Sequence, residues 1–285
     1  MLSVFRQARL WLGALMIGWC AAAGAQGAPN SVAIVMDRQG DVEVSNASQS
    51  ARVNLLDYLP VDSQLRLAKG SSSTVVYLAT SQEWTFTGPG RYRLSGAQPV
   101  AMEGAAPTTR AVPKSSSSVL QRMEPAQRER MTLGAVVMRT VGPLRVRSPD
   151  SVDVLQPRVT LLWHNPSRMT VRVVVQSAVS SAVVAQAELD GERWTTPQAL
   201  SPGDYVWRVE SSTDAATRAR PGRFRVVDPG DERIARYRDP ASSFSDRLSR
   251  AMQLEADELP HDAQLIWLEL ANERPQEESL KAWLR

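Results

Sequence analysis

The chain has 285 residues, of which 43% are hydrophobic and 22% charged, a formal net charge of +3 and one cysteine. This length allows two or three small domains, each with its own core. The nearly balanced charge gives no general case for nucleic-acid binding, and a single cysteine excludes an internal disulfide framework. The folded parts must therefore rest on buried apolar surface.

Residues 1–25 have the pattern of a secretory signal peptide. Arg6 and Arg9 precede an apolar run at 10–22, and an Ala-Gly-Ala cleavage signal follows at 23–25. The run is too short to span a bilayer of about 30 Å as a helix. We expect cleavage after Ala25, export to the periplasm and no membrane span thereafter; an uncleaved anchor is the alternative.

Cys20 raises the alternative of a lipoprotein. A lipid-modified cysteine of the bacterial lipobox type follows a small residue, whereas Trp19 precedes Cys20. We interpret Cys20 as a hydrophobic part of the removed peptide. The mature chain then has no cysteine and carries 31 basic and 30 acidic residues.

Residues 31–103 have the pattern of short strands. Val32, Ile34 and Met36 alternate with other residues, and the β-branched and aromatic run at 74–78 favours a buried strand. Turn-forming residues separate these runs at short intervals. The pattern predicts an all-β unit.

Three stretches of this unit resemble a known family. They are Gly-Asp-Val-Glu-Val at 40–44, Leu-Pro-Val-Asp-Ser-Gln-Leu at 59–65 and Gly-Ser-Ser-Ser-Thr-Val-Val-Tyr-Leu at 70–78. Together they resemble the FecR-like domain, a β-rich module named after a periplasmic iron-citrate signalling regulator. Two turns differ from the family, at Val61 and at 79–82. The resemblance implies protein interaction in the periplasm, but an anti-sigma role is not expected, because the regulator's cytoplasmic segment and transmembrane helix have no counterpart.

Residues 104–132 change in character. They contain several Pro and Ser residues, and residues 104–149 hold eight basic groups but only two acidic ones. We expect a flexible basic linker over 104–132.

Residues 133–228 predict a second β unit. Val159, Leu161 and Trp163 alternate with other residues, and the Asp190-Gly191 dipeptide is a hairpin signal. Pro157, six residues before Trp163, and Leu-Ser-Pro-Gly-Asp-Tyr-Val-Trp at 200–207 resemble the immunoglobulin-like and fibronectin-III-like modules that follow bacterial FecR-like domains. This resemblance implies a β-sandwich.

The sequence Pro-Gly-x-Tyr occurs in both units, at 89–92 and at 202–205. A phosphate-binding loop would need a helix directly after it, whereas Arg91-Tyr92-Arg93-Leu94 alternates like a strand. We interpret both copies as turns that start a strand and place a tyrosine ring in the core.

Residues 229–285 predict a helical tail. Ser243 to Asp246 resemble a capping box, and apolar stripes at helical spacing follow on either side of Pro260. The spacing of Ala263, Trp267 and Leu270 resembles the second half of a tetratricopeptide unit. We expect this tail to pack on the neighbouring sandwich or to support a partner.

The sequence contains no recognisable catalytic or metal-binding motif. His164 and His261 are its only histidines, and we interpret both as surface or turn residues. Nucleophile, Walker and Rossmann motifs are absent. We therefore expect no enzyme activity, no cofactor and no metal.

Trp84 and Trp194 are the candidate residues of an interaction surface, because each lies near a turn. The combined pattern is mainly β: a FecR-like β domain, an Ig-like β-sandwich and a short α-helical tail. It favours a non-catalytic protein of the cell envelope that binds another envelope protein through its β domains. The alternative is a module that binds peptidoglycan or another glycan through exposed tryptophans and the basic linker.

Overall fold

The computed structural model describes residues 31–46, 49–112, 119 and 144–284. The expected signal peptide, Cys20 and most of the expected linker lie outside the described residues. The described part is mainly β, as the sequence predicts. Its first ten strands are β1 (Ser31–Gln39), β2 (Val42–Asn46), β3 (Gln49–Arg52), β4 (Tyr58–Pro60), β5 (Gln64–Leu67), β6 (Ser72–Tyr77), β7 (Gln82–Thr87), β8 (Gly90–Leu94), β9 (Pro99–Glu103) and β10 (Thr108–Ala111).

The strands of the first unit form two antiparallel five-stranded sheets. Their strand orders are β10-β7-β6-β1-β4 and β3-β2-β5-β8-β9. Side chains alternate between core and solvent along β5 and β8, as expected for strands with one buried face. The large side chains of Ile34, Met36 and Phe86 are fully buried.

Strand β10 lies within the segment that the sequence predicts to be a linker. Thr108–Ala111 pairs with β7, and Arg110 forms an ion pair with Glu83 at 2.5 Å. This cross-strand pair holds a short polar strand that has no apolar pattern of its own. Residues 104–112 therefore belong to the first β unit.

The second unit contains strands β11 (Arg145–Ser148), β12 (Val152–Val154), β13 (Thr160–His164), β14 (Val171–Ser177), β15 (Val183–Leu189), β16 (Arg193–Thr195), β17 (Gly203–Ser211) and β18 (Gly222–Val226). They form two sheets, ordered β11-β13-β16 and β12-β18-β17-β14-β15, which enclose one core. Trp163 and Trp207 are fully buried there, as the sequence predicts.

The expected hairpin at Asp190-Gly191 is wrong. Strand β15 pairs with β14 in the larger sheet, whereas β16 pairs with β13 in the smaller sheet. The turn therefore carries the chain from one sheet to the other. The Asn165 side-chain amide donates to the Gly191 carbonyl, and the Asn165 backbone N–H donates to Glu192, so the turn is tied to the smaller sheet.

Both Pro-Gly-x-Tyr copies lead directly into strands, β8 and β17, and no helix follows either. The Tyr92 hydroxyl lies 2.9 Å from the carbonyl oxygen of Thr87, and the Tyr205 hydroxyl donates to that of Ser201 at 2.7 Å. Each ring also packs on a phenylalanine, Phe86 or Phe224 respectively. The repeated sequence is therefore a corner in which a core tyrosine bonds back to the turn that precedes it.

The two glycines of these turns serve different purposes. Gly203 has a φ of +146°, which disfavours a side chain. Gly90 is required for space instead, because a Cβ atom there would come within 3.0 Å of the Tyr92 ring and the Glu103 carbonyl.

We predict that Gly90→Ala lowers the free energy of unfolding by about 1–3 kcal/mol, because the added methyl group overpacks the corner. Gly96→Ala is the matched control, since a Cβ atom at Gly96 meets nothing within 4 Å, and it should change stability by less than about 0.5 kcal/mol. Urea unfolding followed by tryptophan fluorescence measures both. Equal midpoints for the two variants would contradict the packing role of Gly90.

The helices follow in the tail: α1 (Glu232–Arg236), α2 (Phe244–Ala256), α3 (Pro260–Glu273) and α4 (Glu278–Lys281). The predicted capping box is confirmed, because the Ser243 hydroxyl accepts from the Asp246 N–H and the Asp246 carboxylate accepts from the Ser243 N–H. It fixes the start of α2.

The helical tail packs on both β units. Helix α2 lies against β1 of the first unit, and α3 lies against β12 of the second. The buried face of the tail joins the core of the first unit in one continuous apolar cluster, which includes Phe244, Leu248, Ala251, Met252, Leu259, Ala263, Trp267, Leu270, Leu280 and Trp283. The expectation that the tail packs on the neighbouring sandwich therefore describes only one of its two contacts.

A buried ion pair joins the end of the tail to β1. Arg38 bonds to Glu277, and the two side chains are only 6% and 4% exposed. Close by, Arg274 donates to the Arg38 carbonyl at 3.2 Å and lies over the Phe244 ring at 4.7 Å. These contacts fasten the end of the helical tail to β1.

We predict that Glu277→Ala lowers the free energy of unfolding by about 3–5 kcal/mol, because it leaves the Arg38 guanidinium buried without its partner. Glu278→Ala, which removes an exposed i,i+3 pair with Lys281, is the control and should cost less than about 1 kcal/mol. Replacing both partners, in the variant Arg38→Met with Glu277→Leu, should recover much of the loss. Thermal unfolding of the four proteins tests this; similar losses in both single variants would refute it.

Candidate interaction surfaces

The structure places Trp84 and Trp194 in different units and does not bring them together. Trp84 lies on β7 and packs, half-buried, against the core shared by the first unit and the tail. Trp194 lies on β16, opposite Leu161, and packs against the core of the second unit. Each ring is therefore partly covered by packing against a core, and the two rings do not form a common face.

The two histidines have contrasting surroundings. His164 is half exposed and lies 3.3 Å from the Glu192 carboxylate, as expected for a surface residue. The expectation of a surface position is wrong for His261, which is 1% exposed at the start of α3. Its Nδ1 atom lies 2.8 Å from the Ser148 hydroxyl at the end of β11. The sequence missed this because burial there comes from a distant part of the chain.

His261 and Asp262 together fill the junction between α3 and the second unit. The Leu155 N–H donates to the Asp262 carboxylate at 3.2 Å. Burial raises the pKa of Asp262 to about 6, although the N–H donors of Leu155 and Gln156 and the charge of Arg233 oppose this rise. Burial lowers the pKa of His261 to about 4. The junction is thus built to hold an uncharged imidazole beside a carboxyl group that is protonated more readily than usual.

A polar groove of about 750 Å³ crosses the second sheet of the first unit. Glu43, Arg66, Arg91 and Glu103 lie in one cross-strand row on β2, β5, β8 and β9. Arg91 forms an exposed ion pair with Glu103, whereas Arg66 has no hydrogen-bond or ion-pair partner among the described residues. The groove therefore offers hydrogen-bonding groups of both charges but no aromatic platform.

Strand β15 forms one edge of the larger sheet of the second unit. Of the described strands at sheet edges, it is the longest, with seven residues from Val183 to Leu189. Among the described residues, no backbone hydrogen bond reaches it from the side opposite β14. In the regular part of β15, from Ala185 to Leu189, every second residue therefore presents an unpaired N–H and C=O group to the outside.

The β15 edge lacks most of the features that usually protect such strands. Its first five residues, Val-Val-Ala-Gln-Ala, contain neither a charge nor a proline, and Glu188 is its one charged residue. The other edge strands have at most five residues, and each contains a charged residue or a proline. Natural sheets use charges, prolines, bulges and short strands to prevent pairing at their edges, and of these β15 has Glu188 and one register shift at Val184. β15 is therefore the edge most open to another strand.

Exposed apolar side chains concentrate at the same edge. Val179 is 90% exposed in the loop before β15, and Val183 and Val184 are 52% and 43% exposed at its start. Together with β15, these three valines form what we call the β15 edge. The sequence signal that could have identified it is the uncharged run from 178 to 187, which we interpreted only as one arm of a hairpin.

The described residues contain no group of three or more His, Cys, Asp or Glu side chains arranged to hold a metal ion. No helix in the described part of the chain is long and apolar enough to cross a membrane. The described part of the chain is a mainly β protein with an open sheet edge and a polar groove. No protein-family model matches the chain, and no curated protein matches it.

We predict opposite pH dependences for two variants of the α3 junction. The unfolded chain protonates His261 near pH 6.5, whereas the folded protein does so only near pH 4. His261 therefore lowers the free energy of unfolding as the pH falls from about 6.5 to 4. Asp262 acts in the opposite direction, because the folded protein takes up its proton near pH 6 and the unfolded chain near pH 3.8. Each effect is worth roughly 3 kcal/mol, so the two nearly cancel in the wild type.

Relative to the wild type, His261→Gln should therefore gain stability on acidification from pH 6.5 to 4, and Asp262→Asn should lose it. Urea unfolding at several pH values measures the differences, and all other titrating groups cancel in the comparison. Parallel pH profiles for the wild type and both variants would show that neither group is perturbed by burial.

Proposed function

We propose that this chain is a non-catalytic protein of the bacterial cell envelope, exported to the periplasm, that binds other proteins through its β units. The observation that carries the proposal is the β15 edge, with its unpaired backbone groups and exposed valines. The FecR-like character of the first unit and the Ig-like character of the second, both inferred from sequence resemblance, support the same function.

The mode of binding that fits this edge is strand addition. An extended partner segment pairs with the outward N–H and C=O groups of β15, which supplies affinity that depends little on side chains. Val183 and Val184 add apolar contact at one end of the strand, and this contact favours partners with an apolar residue there. The β15 edge therefore acts as a template for an extended peptide.

The rest of the molecule supports the edge by holding it on a rigid frame. β15 is paired from Val183 to Leu189 with β14, with one register shift at Val184, and β14 pairs in turn with β17 near the centre of the sheet. The helical tail binds the second unit through Arg233, which forms an ion pair with Asp153 at 2.9 Å, and through the junction at Asp262. An interaction site on a regular strand is more precisely positioned than one on a loop.

Glycan binding is a second candidate function, and the polar groove of the first unit favours it. Arg66 presents an unpaired guanidinium beside Glu43 and Gln64, which suits the hydroxyl groups of a sugar. Trp84 and Trp194 add little to this candidate, because both are half-buried and lie away from the lining of the groove.

The test places a photo-crosslinking amino acid at Gln186, on the exposed face of β15, in cells that export the protein. The matched control carries it at Arg223, exposed on β18 in the same sheet. We expect a defined protein adduct from Gln186 only, and its loss in the variant Val183→Asp with Val184→Asp. Identical adduct patterns at both positions would refute binding at the β15 edge.

Sedimentation of the purified protein with peptidoglycan, lost on Arg66→Ser but not on Arg93→Ser, would instead support the glycan function.

A further inference from the structure

We propose that the second unit binds a phosphate monoester group on the outer face of its larger sheet. The site is a cavity of about 500 Å³ that Arg208, Arg218 and Arg220 line. It lies at β17, two strands away from β15, and does not depend on binding at the β15 edge. The inference therefore goes beyond the proposed function.

An irregularity in the strand pairing shapes this cavity. Glu210 of β17 pairs with Arg218, and Trp207 of β17 pairs with Gly222 of β18. Between these two pairs, two residues of β17 face three residues of the other segment, so one residue is extra. Such a bulge bends the strand and re-aims the side chains around it, and bulges are frequent beside functional sites.

The bulge places two arginines against each other. The Ala219 N–H donates to the Val209 carbonyl at 3.0 Å, and the next residue on each strand then brings Arg208 opposite Arg220. Ala219 is buried, whereas the arginines on either side of it in sequence are exposed. Like charges directly opposite one another in a sheet are destabilising, so an anion between them relieves a repulsion that the fold builds in.

The nearest carboxylates do not neutralise the cavity. Arg220 forms an ion pair with Asp150 at 2.7 Å, but its side chain remains 81% exposed. Glu210 is the one carboxylate in the lining, opposite Arg218. Within the part of the chain that the structure describes, neither Arg208 nor Arg218 has a side-chain hydrogen bond or ion pair. Both guanidinium groups stay charged in proteins, so they remain available to an anion.

The other charged rows of the same face are balanced. Arg172 lies between Glu188 and Glu210 in one cross-strand row, and Arg225 forms an ion pair with Asp204 at 2.8 Å. These rows therefore add little net charge beside the cavity.

The excess of positive charge is concentrated at the cavity and next to it. Arg208 has Val174 as its neighbour on β14, and Arg223 lies opposite Val206 on β17. Neither of these two exposed arginines has a carboxylate opposite it in the sheet. Together they raise the local concentration of anions at this end of the sheet.

A phosphate monoester fits the arrangement by its charge and its shape. The group carries a charge of about −1.5 to −2 at pH 7 and has three strong acceptor oxygens. Each guanidinium presents a planar fork of N–H donors that matches two oxygens of a phosphate. Three such forks around one cavity suit a tetrahedral group with three terminal oxygens better than a carboxylate, which has two oxygens and a single charge.

Titration of the full mature protein with glycerol phosphate, a soluble phosphate monoester, tests the site. The NMR signals of the arginine Nε–H groups report binding at constant ionic strength. We expect saturable shifts in the wild type, and a roughly tenfold weaker affinity in Arg208→Gln and in Arg218→Gln, because each removes a charge-assisted hydrogen-bond donor.

Arg225→Gln is the matched control, since it makes the same change of net charge in the same sheet. Its partner on β17, Asp204, lies four positions from Arg208, or roughly 13 Å, which exceeds the screening length of about 8 Å. The control should therefore change the affinity by less than about twofold. Circular dichroism and unfolding midpoints verify that each variant retains the fold.

Vesicles distinguish a soluble phosphate monoester from a lipid headgroup. Phosphatidylcholine vesicles with phosphatidic acid carry the monoester, and vesicles of equal surface charge with phosphatidylglycerol carry a phosphate diester. Saturable binding of glycerol phosphate assigns the site to a soluble ligand. A preference for phosphatidic acid vesicles without such binding assigns it to a lipid headgroup, and both results support the site if Arg208→Gln abolishes them.

The absence of saturation together with equal binding to the two kinds of vesicle would overturn the proposal. Equal losses in Arg208→Gln and Arg225→Gln would overturn it too, because they would show a general attraction by net charge. None of these substitutions alters β15, so crosslinking at Gln186 tests the proposed function separately.

Discussion

The buried contact between Arg38 and Glu277 is the constraint on which the rest of the structure depends. These residues are 239 positions apart in sequence, yet their side chains meet in a site where both are almost fully buried. Placing them there brings the helical tail onto the first β unit, and the tail in turn reaches the second unit through Arg233 and Asp262. The helical tail, which follows both β units in sequence, thus fixes their relative placement.

Alternating apolar residues were sufficient to predict the strands with one buried face, because such a strand imposes that period on its own sequence. The same holds for the capping box at Ser243, whose partners lie three residues apart. Features that depend on distant residues were not predictable. The Asp190-Gly191 turn has the local chemistry of a hairpin, but which sheet each flanking strand joins is decided by β13 and β14. The contact of buried His261 with Ser148 likewise joins residues 113 positions apart.

The candidate surfaces also differ in whether the local sequence reveals them. Trp84 and Trp194 stand out in the sequence because they are large, but size also makes them useful for packing, and both are half-buried. The β15 edge is inconspicuous in the sequence, since alanine, valine and glutamine in a strand indicate nothing unusual. Its significance arises only from the position of β15 at the end of a sheet, which depends on the pairing of the whole unit.

The shared core of the first unit and the tail has a consequence for how the chain folds as it is made. Strands β1 to β10 are synthesised before the helical tail, and the apolar surface that they share with Leu248, Trp267 and Trp283 stays uncovered until the tail has been made. Contacts between such distant segments form slowly, because a long loop must close before they are gained. The first unit therefore completes its core only after the helical tail has been synthesised, and it stays incompletely folded until then.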